Sequence, residues 1–124
     1  MIAYTMLGTN DLDRAGKFYD ALFGELAASR AMETDRMIAW ATGPGQPMFS
    51  VVKPLDEKPA TVGNGVMIAL GASNPAAVDA LHAKAMQLGG KDEGAPGVRG
   101  DMFYIAYCRD LDGNKINFFC PKDA

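Results

Sequence analysis

Residues able to do chemistry are sparse in this chain and mostly stand apart. There is one histidine, His82, and there are two cysteines, Cys108 and Cys120, with no CxxC spacing. Neither a zinc cage nor a disulfide framework is indicated. His82 follows Leu81 in an apolar-periodic stretch and reads as a packing histidine at a helix edge. The cysteines read as small core residues. Arg109 has two readings, an anion contact or an ion pair with Asp110 or Asp112 on an exposed hairpin. Residues 94–100, GAPGVRG, also have two: a flexible gate whose Arg99 meets an anion, or an ordinary irregular connection. Trp40 and Tyr104 occupy equivalent places in the two halves of the chain, and each either stacks on a planar ligand or packs in the core. No glycine pattern of the phosphate-cradling or dinucleotide kind appears.

Composition narrows the function classes. The chain has 124 residues, 48% of them hydrophobic and 22% charged, which suits one globular domain with a real core. Twelve Lys and Arg against fifteen Asp and Glu give a formal net charge of -3. The basic residues are scattered, and the densest stretch, residues 53–58, is broken by Asp56 and Glu57. A nucleic-acid partner is therefore disfavoured, since such proteins carry a basic excess or stripe. Apolar runs of a few residues fall far short of the roughly 20 that a membrane helix needs. The N-terminal residues show no basic segment before a long apolar stretch. A cytoplasmic protein without membrane contact is the expectation.

The elements that must position these residues come in two rounds of one plan. Residues 1–7 read as a strand closed by Gly8. Thr9-Asn10-Asp11 then supplies a helix N-cap, with Asp11 and Asp13 placed to oppose the helix dipole. Ala15, Phe18, Tyr19 and Leu22 follow at helical spacing, and Gly24 is expected to end the helix in a left-handed conformation. Strands are expected at about 26–33, 37–42 and 48–52, separated by Thr34-Asp35 and Gly43-Pro44-Gly45. The second round begins with a strand at 66–70, closed by Gly71. Asn74 and Pro75 start a helix whose Val78, Leu81, Ala85 and Leu88 share one face, and Gly89-Gly90 ends it. Strands follow at about 91–93, 102–108 and 115–120, the last two joined by the turn-rich run 110–114. Gly8 matches Gly71 and Asn10 matches Asn74, an offset of about 63 to 64 residues. The plan is thus β-α-β-β-β twice: module 1 at 1–53, a linker at 54–65 and module 2 at 66–120.

Two stretches carry a family resemblance. GTNDLDRAGKFYDALFG resembles the D-L-x-x-A-x-x-F-Y-x-x-x-L-G opening of the glyoxalase/bleomycin resistance/extradiol dioxygenase (vicinal oxygen chelate) superfamily, and RDLDGNKINFFC resembles its closing R-D-P-D-G-N-x-I-E. Residues 62–100 are similar to a bacterial subgroup of small glyoxalase-like proteins. The resemblance covers nearly the whole chain. It implies an α+β fold in which two tandem β-α-β-β-β modules form a curved mixed sheet around a cavity, commonly as a homodimer. The same fold hosts lyases, dioxygenases and non-catalytic drug binders.

Catalytic members of that superfamily hold a divalent metal with His, Gln or Glu side chains. Carried over position by position, the usual ligands fall on Tyr4, Met67 and Asn117, and Ser50 is the only polar choice for a fourth. A phenol with an ordinary pKa of about 10, a thioether, a neutral amide and a hydroxyl are poor donors for such metals. The expectation is no metal and no cofactor, with a cavity that binds a small molecule and is lined by Tyr4, Trp40, Ser50, Met67, Arg99, Tyr104 and Asn117. Strand alternation puts Ile2 and Met6 with Tyr4, Ala69 with Met67, and Lys115 and Phe119 with Asn117. Three functions compete. The leading one is a metal-independent binding or sequestering protein. The second is a glyoxalase-type lyase or dioxygenase-like enzyme with an atypical site, for which Asp101 and Glu33 are distant candidates as general base. The third is an accessory dimer with a filled pocket.

Overall fold

A computed structural model describes all residues, Met1–Ala124. Ten elements alternate in the expected order: β1 (Tyr4–Gly8), α1 (Leu12–Gly24), β2 (Ser29–Glu33), β3 (Met37–Ala41), β4 (Met48–Val52), β5 (Ile68–Gly71), α2 (Pro75–Gln87), β6 (Lys91–Arg99), β7 (Phe103–Arg109) and β8 (Lys115–Pro121). The chain forms two compact units, Met1–Val62 and Gly63–Ala124, dividing inside the expected linker. Each unit holds one four-stranded sheet and one helix, with strand orders β1-β4-β3-β2 and β5-β8-β7-β6. In both, the first strand runs parallel to the last and the other pairings are antiparallel.

In the first unit, Asp11 is the N-cap, and its side chain accepts from the Arg14 amide. Ala15, Phe18, Tyr19, Leu22 and Phe23 are the buried side of α1. They meet Ile38, Trp40, Phe49 and Val51, which are the alternate residues of β3 and β4. The core here is aromatic: the Tyr19 ring lies 4.8 Å from Phe49 and 5.6 Å from Trp40, and Phe23 lies 5.0 Å from Phe49. Gly16 lets the ends of two side chains come close to α1, since a β-carbon there would stand 2.7 Å from Arg30 Nη2 and 2.9 Å from Ile38 Cδ1. Gly24 does not take the left-handed conformation expected of it. That backbone falls to Ala27, at φ 53, and the helix end closes with the Glu25 amide on the Leu22 carbonyl and the Leu26 and Ala28 amides on the Phe23 carbonyl.

In the second unit, Asn74 caps α2 by accepting from the Ala77 amide, with Pro75 in the first turn. Val78, Leu81 and Ala85 pack against the alternate residues Ala106, Cys108, Ile116, Phe118 and Cys120. Gly89, at φ 96, ends the helix as expected. The main departure is β6. Expected at 91–93, it runs to Arg99, and residues 94–99 belong to a strand paired with β7. Two register shifts, between Asp92 and Gly94 and between Gly94 and Gly97, absorb glycines and a proline that a regular strand would reject. β6 is also an edge strand, where Pro96 costs no ladder bond that a neighbour needs.

Candidate functional site

Strand register decides which face each candidate occupies. In the first unit, Met6 pairs with Ser50, Ser50 with Ala39, and Tyr4 with Met48. Tyr4, Met6, Ala39, Met48 and Ser50 therefore share the face turned away from α1. Tyr4 and Met6 are exposed at 55% and 42%, while Ser50 is buried. In the second unit, Ala69 pairs with Asn117 and Asn117 with Tyr107. Lys115, Asn117 and Phe119 of β8 thus share the face away from α2 with Ile105 and Tyr107 of β7. Met67 immediately precedes β5 and has the parity of Ala69.

Trp40 and Tyr104 are corrected by the same register. Trp40 pairs with Phe49 and lies beneath α1, with 1% of its surface exposed, so it is a core residue and lines no cavity wall. Its indole N–H donates to Asp20 Oδ1 at 2.9 Å. Asp20 also receives a two-point contact from Arg30, Nε at 2.9 Å and Nη2 at 2.8 Å, and the Arg30 guanidinium lies over the Trp40 ring. Arg30 beside it holds the Asp20 carboxyl below the usual carboxylate range. Tyr104 pairs with Cys120, on the helix-facing side, and its hydroxyl donates to Asp79 of α2 at 2.7 Å. That bond raises the phenol pKa above its ordinary value. Strands MIAWA and FYIAYCR are apolar on both faces, so alternation in sequence could not say which side meets the helix.

Other chemistry-bearing residues are engaged in holding the fold. His82 is buried, with Nε2 3.1 Å from Asp92 Oδ1, which joins α2 to β6. The Gly94 amide, more than His82, lowers the Asp92 pKa. Arg109 pairs neither with Asp110 nor with Asp112. Its Nε reaches Glu93 at 2.9 Å and its Nη1 donates to the Gly113 carbonyl at 3.1 Å. Asp110 shapes the hairpin instead, with Oδ1 accepting from the Asp112 and Asn114 amides at 2.9 Å. Burial pushes the Cys108 thiol up to about 12, which leaves it inert as a nucleophile near neutral pH.

Of the three buried polar atoms left without a partner, two belong to residues matched to metal ligands by the family resemblance. Ser50 Oγ and Asn117 Oδ1 are buried and have no hydrogen-bond partner in the protein, and Thr5 Oγ1 on the helix side is the third such atom. Ser50 is flanked by Met6 and Ala39, neither of which has a polar side chain. The donor set does not fit a divalent metal. Phenol, hydroxyl, thioether and amide supply no imidazole and no carboxylate, and no group of three or more His, Cys, Asp or Glu side chains comes together in the structure. Three surface hollows of the first unit, the largest of about 530 Å³ beside Arg36, Lys53 and Lys58, include none of the seven candidates. No helix is long and apolar enough to cross a membrane.

Sequence reasoning passed over Tyr107, although its partner Asn117 was singled out. Its ring has Lys115 Nζ at 5.3 Å, and it adjoins the Arg99 side chain that crosses Gly94 and Gly97. The hairpin run 110–114 between two apolar strands fixes the pairing of Tyr107 with Asn117, and was the signal available.

Comparison with known proteins agrees with this architecture. A search of curated proteins finds no match. The chain is similar to a glyoxalase/bleomycin resistance protein from Albidiferax ferrireducens T118, with 38% identity, a TM-score of 0.88, and coverage of 96% of this chain and 97% of that one. It is also similar to a hypothetical protein from S. aureus, with 28% identity, a TM-score of 0.75, and 94% and 90% coverage. Lactoylglutathione lyase from Agrobacterium tumefaciens shares the fold at 22% identity, with a TM-score of 0.72 and 96% and 92% coverage. The family model of the Glyoxalase/Bleomycin resistance protein/Dioxygenase superfamily matches residues 1–118. With its two β-α-β-β-β units and that match along nearly its whole length, the chain belongs to the glyoxalase/bleomycin resistance/dioxygenase superfamily.

Proposed function

We propose that this protein binds or sequesters a small organic molecule without a metal ion. One observation carries the reading. Ser50 Oγ and Asn117 Oδ1 are buried and unpartnered, Asn117 at a position that the family resemblance matches to a metal ligand and Ser50 as the only polar residue in the stretch it matches to a fourth. A buried polar atom without a partner costs roughly 1–3 kcal/mol, and native proteins rarely keep one where an apolar residue would serve. Each atom, taken within its own unit, fits a protein in which a bound ligand supplies the missing partner. The neutral donor set, without imidazole or carboxylate, supports the same conclusion.

A glyoxalase-type lyase or dioxygenase-like enzyme is the second reading, supported by family membership. It needs a general base, and Glu33 is tied to Arg30 at 3.1 Å. Elemental mass spectrometry of tag-free protein, after dialysis against trace nickel, zinc, manganese and iron, separates the two. The binding reading expects no stoichiometric metal together with thermal stabilisation by members of a small-molecule panel. A stoichiometric metal would overturn it.

A further inference from the structure

Within the second unit, the path of Arg99 narrows the kind of molecule that fits. Its side chain turns back along β6 across two glycines. A β-carbon on Gly97 would lie 2.8 Å from Arg99 Nη1, and one on Gly94 would lie 3.5 Å from Nη2 and 3.0 Å from Tyr107 Cδ2. The guanidinium therefore rests over bare backbone beside the Tyr107 ring. Its hydrogen bonds go only to backbone carbonyls, chiefly Ala95 at 2.8 Å, and it has no carboxylate partner. Lys115 lies over the same ring, Nζ 5.3 Å from the centroid, and is close enough to Glu93 to act on its carboxylate, which is itself bonded to Arg109 at 2.9 Å. Tyr107 is thus flanked by two half-buried cations, and it pairs directly with Asn117, whose buried Oδ1 lacks a donor. Phe103 and Phe119 stack 4.8 Å apart farther along that face.

We infer that the face of β6–β8 turned away from α2 receives a small aromatic carboxylate that also carries an O–H or N–H group. The carboxylate meets the guanidinium of Arg99, the ring lies on Tyr107, and the O–H or N–H donates to Asn117 Oδ1. A planar fork matches a carboxylate with two parallel hydrogen bonds, which a neutral amide cannot reproduce. Strands two apart are separated by about 10 Å, so one six-membered ring with polar groups at opposite ends spans the distance from Arg99 to Asn117. This assignment rests on the metal-free binding reading and gives it a ligand class.

The test is a ¹H–¹⁵N NMR titration of the full chain with 4-hydroxyphenylacetate and, separately, with its neutral analogue 4-hydroxyphenylacetamide. The acid should bind about tenfold more tightly than the amide at low salt, the size of one charge-assisted contact in a half-buried setting. Its shifts should centre on the amides of Tyr107, Lys115 and Asn117. Arg99→Gln should bring the two ligands within about twofold of each other, and Arg99→Lys should keep part of the preference. Asn117→Leu should weaken both ligands and leave their ratio. Equal affinity for acid and amide in the native protein, or a preference that survives Arg99→Gln, would overturn the assignment while leaving metal-free binding intact. Absence of shifts on this face with either probe would overturn it as well. Metal-free binding itself is judged separately, by metal content and the wider thermal-shift panel.

Discussion

Ser50→Ala is the substitution that separates a residue kept for a ligand from one kept for the fold. Ser50 is 1% exposed, and its hydroxyl has no partner among the Met6 and Ala39 side chains beside it. Removing the oxygen costs a few van der Waals contacts and relieves a desolvation penalty of roughly 1–3 kcal/mol. The net expectation is a gain of about 1 kcal/mol in unfolding free energy. For a chain of this length that corresponds to a rise in Tm of about 3–5 °C, between the sensitivities of smaller and larger domains. Urea denaturation followed by far-UV circular dichroism should show a higher midpoint with an unchanged slope. Val51→Ala is the control on the adjacent residue, whose side chain is buried beneath α1. It should cost about 2 kcal/mol through lost burial and the space left behind. Ligands that stabilise the native protein should stabilise Ser50→Ala less. A variant destabilised by 1 kcal/mol or more would refute the reasoning, because the hydroxyl would then be making a bond that the fold needs.

Four further outcomes follow from the side-chain network. Asp20→Ala strips the buried Trp40 indole of its acceptor and should cost about 2 kcal/mol, whereas Asp20→Asn keeps an acceptor and should cost about 1 kcal/mol, most of the difference lying in Trp40 because the Arg30 contact is partly exposed. Asp20 has a depressed folded pKa, so its stabilisation is present above the ordinary carboxylate value and is lost as pH falls through the folded one; the stability gap between native protein and Asp20→Asn should therefore close in acid, checked by urea midpoints from pH 6 downward. Tyr104, hydrogen-bonded to Asp79, should ionise above pH 10 in an ultraviolet titration, and Tyr104→Phe should remove that late step. Cys108 should react with a thiol reagent at pH 8 only at the rate of unfolding, since its thiol is buried and pushed up to about 12.

The duplicated order of elements, both helix starts and the shared parity of Lys115, Asn117 and Phe119 follow from local chemistry. Caps, glycines and a period of two act between neighbours in sequence, so they can be read without knowing what lies across the sheet. The poverty of metal donors at Tyr4, Ser50, Met67 and Asn117 is likewise a matter of residue type. Face assignment in β3 and β7 was not legible. Trp40 and Tyr104 sit in strands apolar on both sides, and only the packing of α1 and α2 shows that they lie against the helices. The bond from Trp40 to Asp20 spans twenty residues, and the one from Tyr104 to Asp79 spans twenty-five. The stretch GAPGVR reads as a loop because its glycines and proline disfavour strands, yet pairing with β7 on one side and two register shifts hold it in the sheet. Only there do Gly94 and Gly97 leave the space in which Arg99 comes to lie beside Tyr107, because the register sets that neighbour across the sheet.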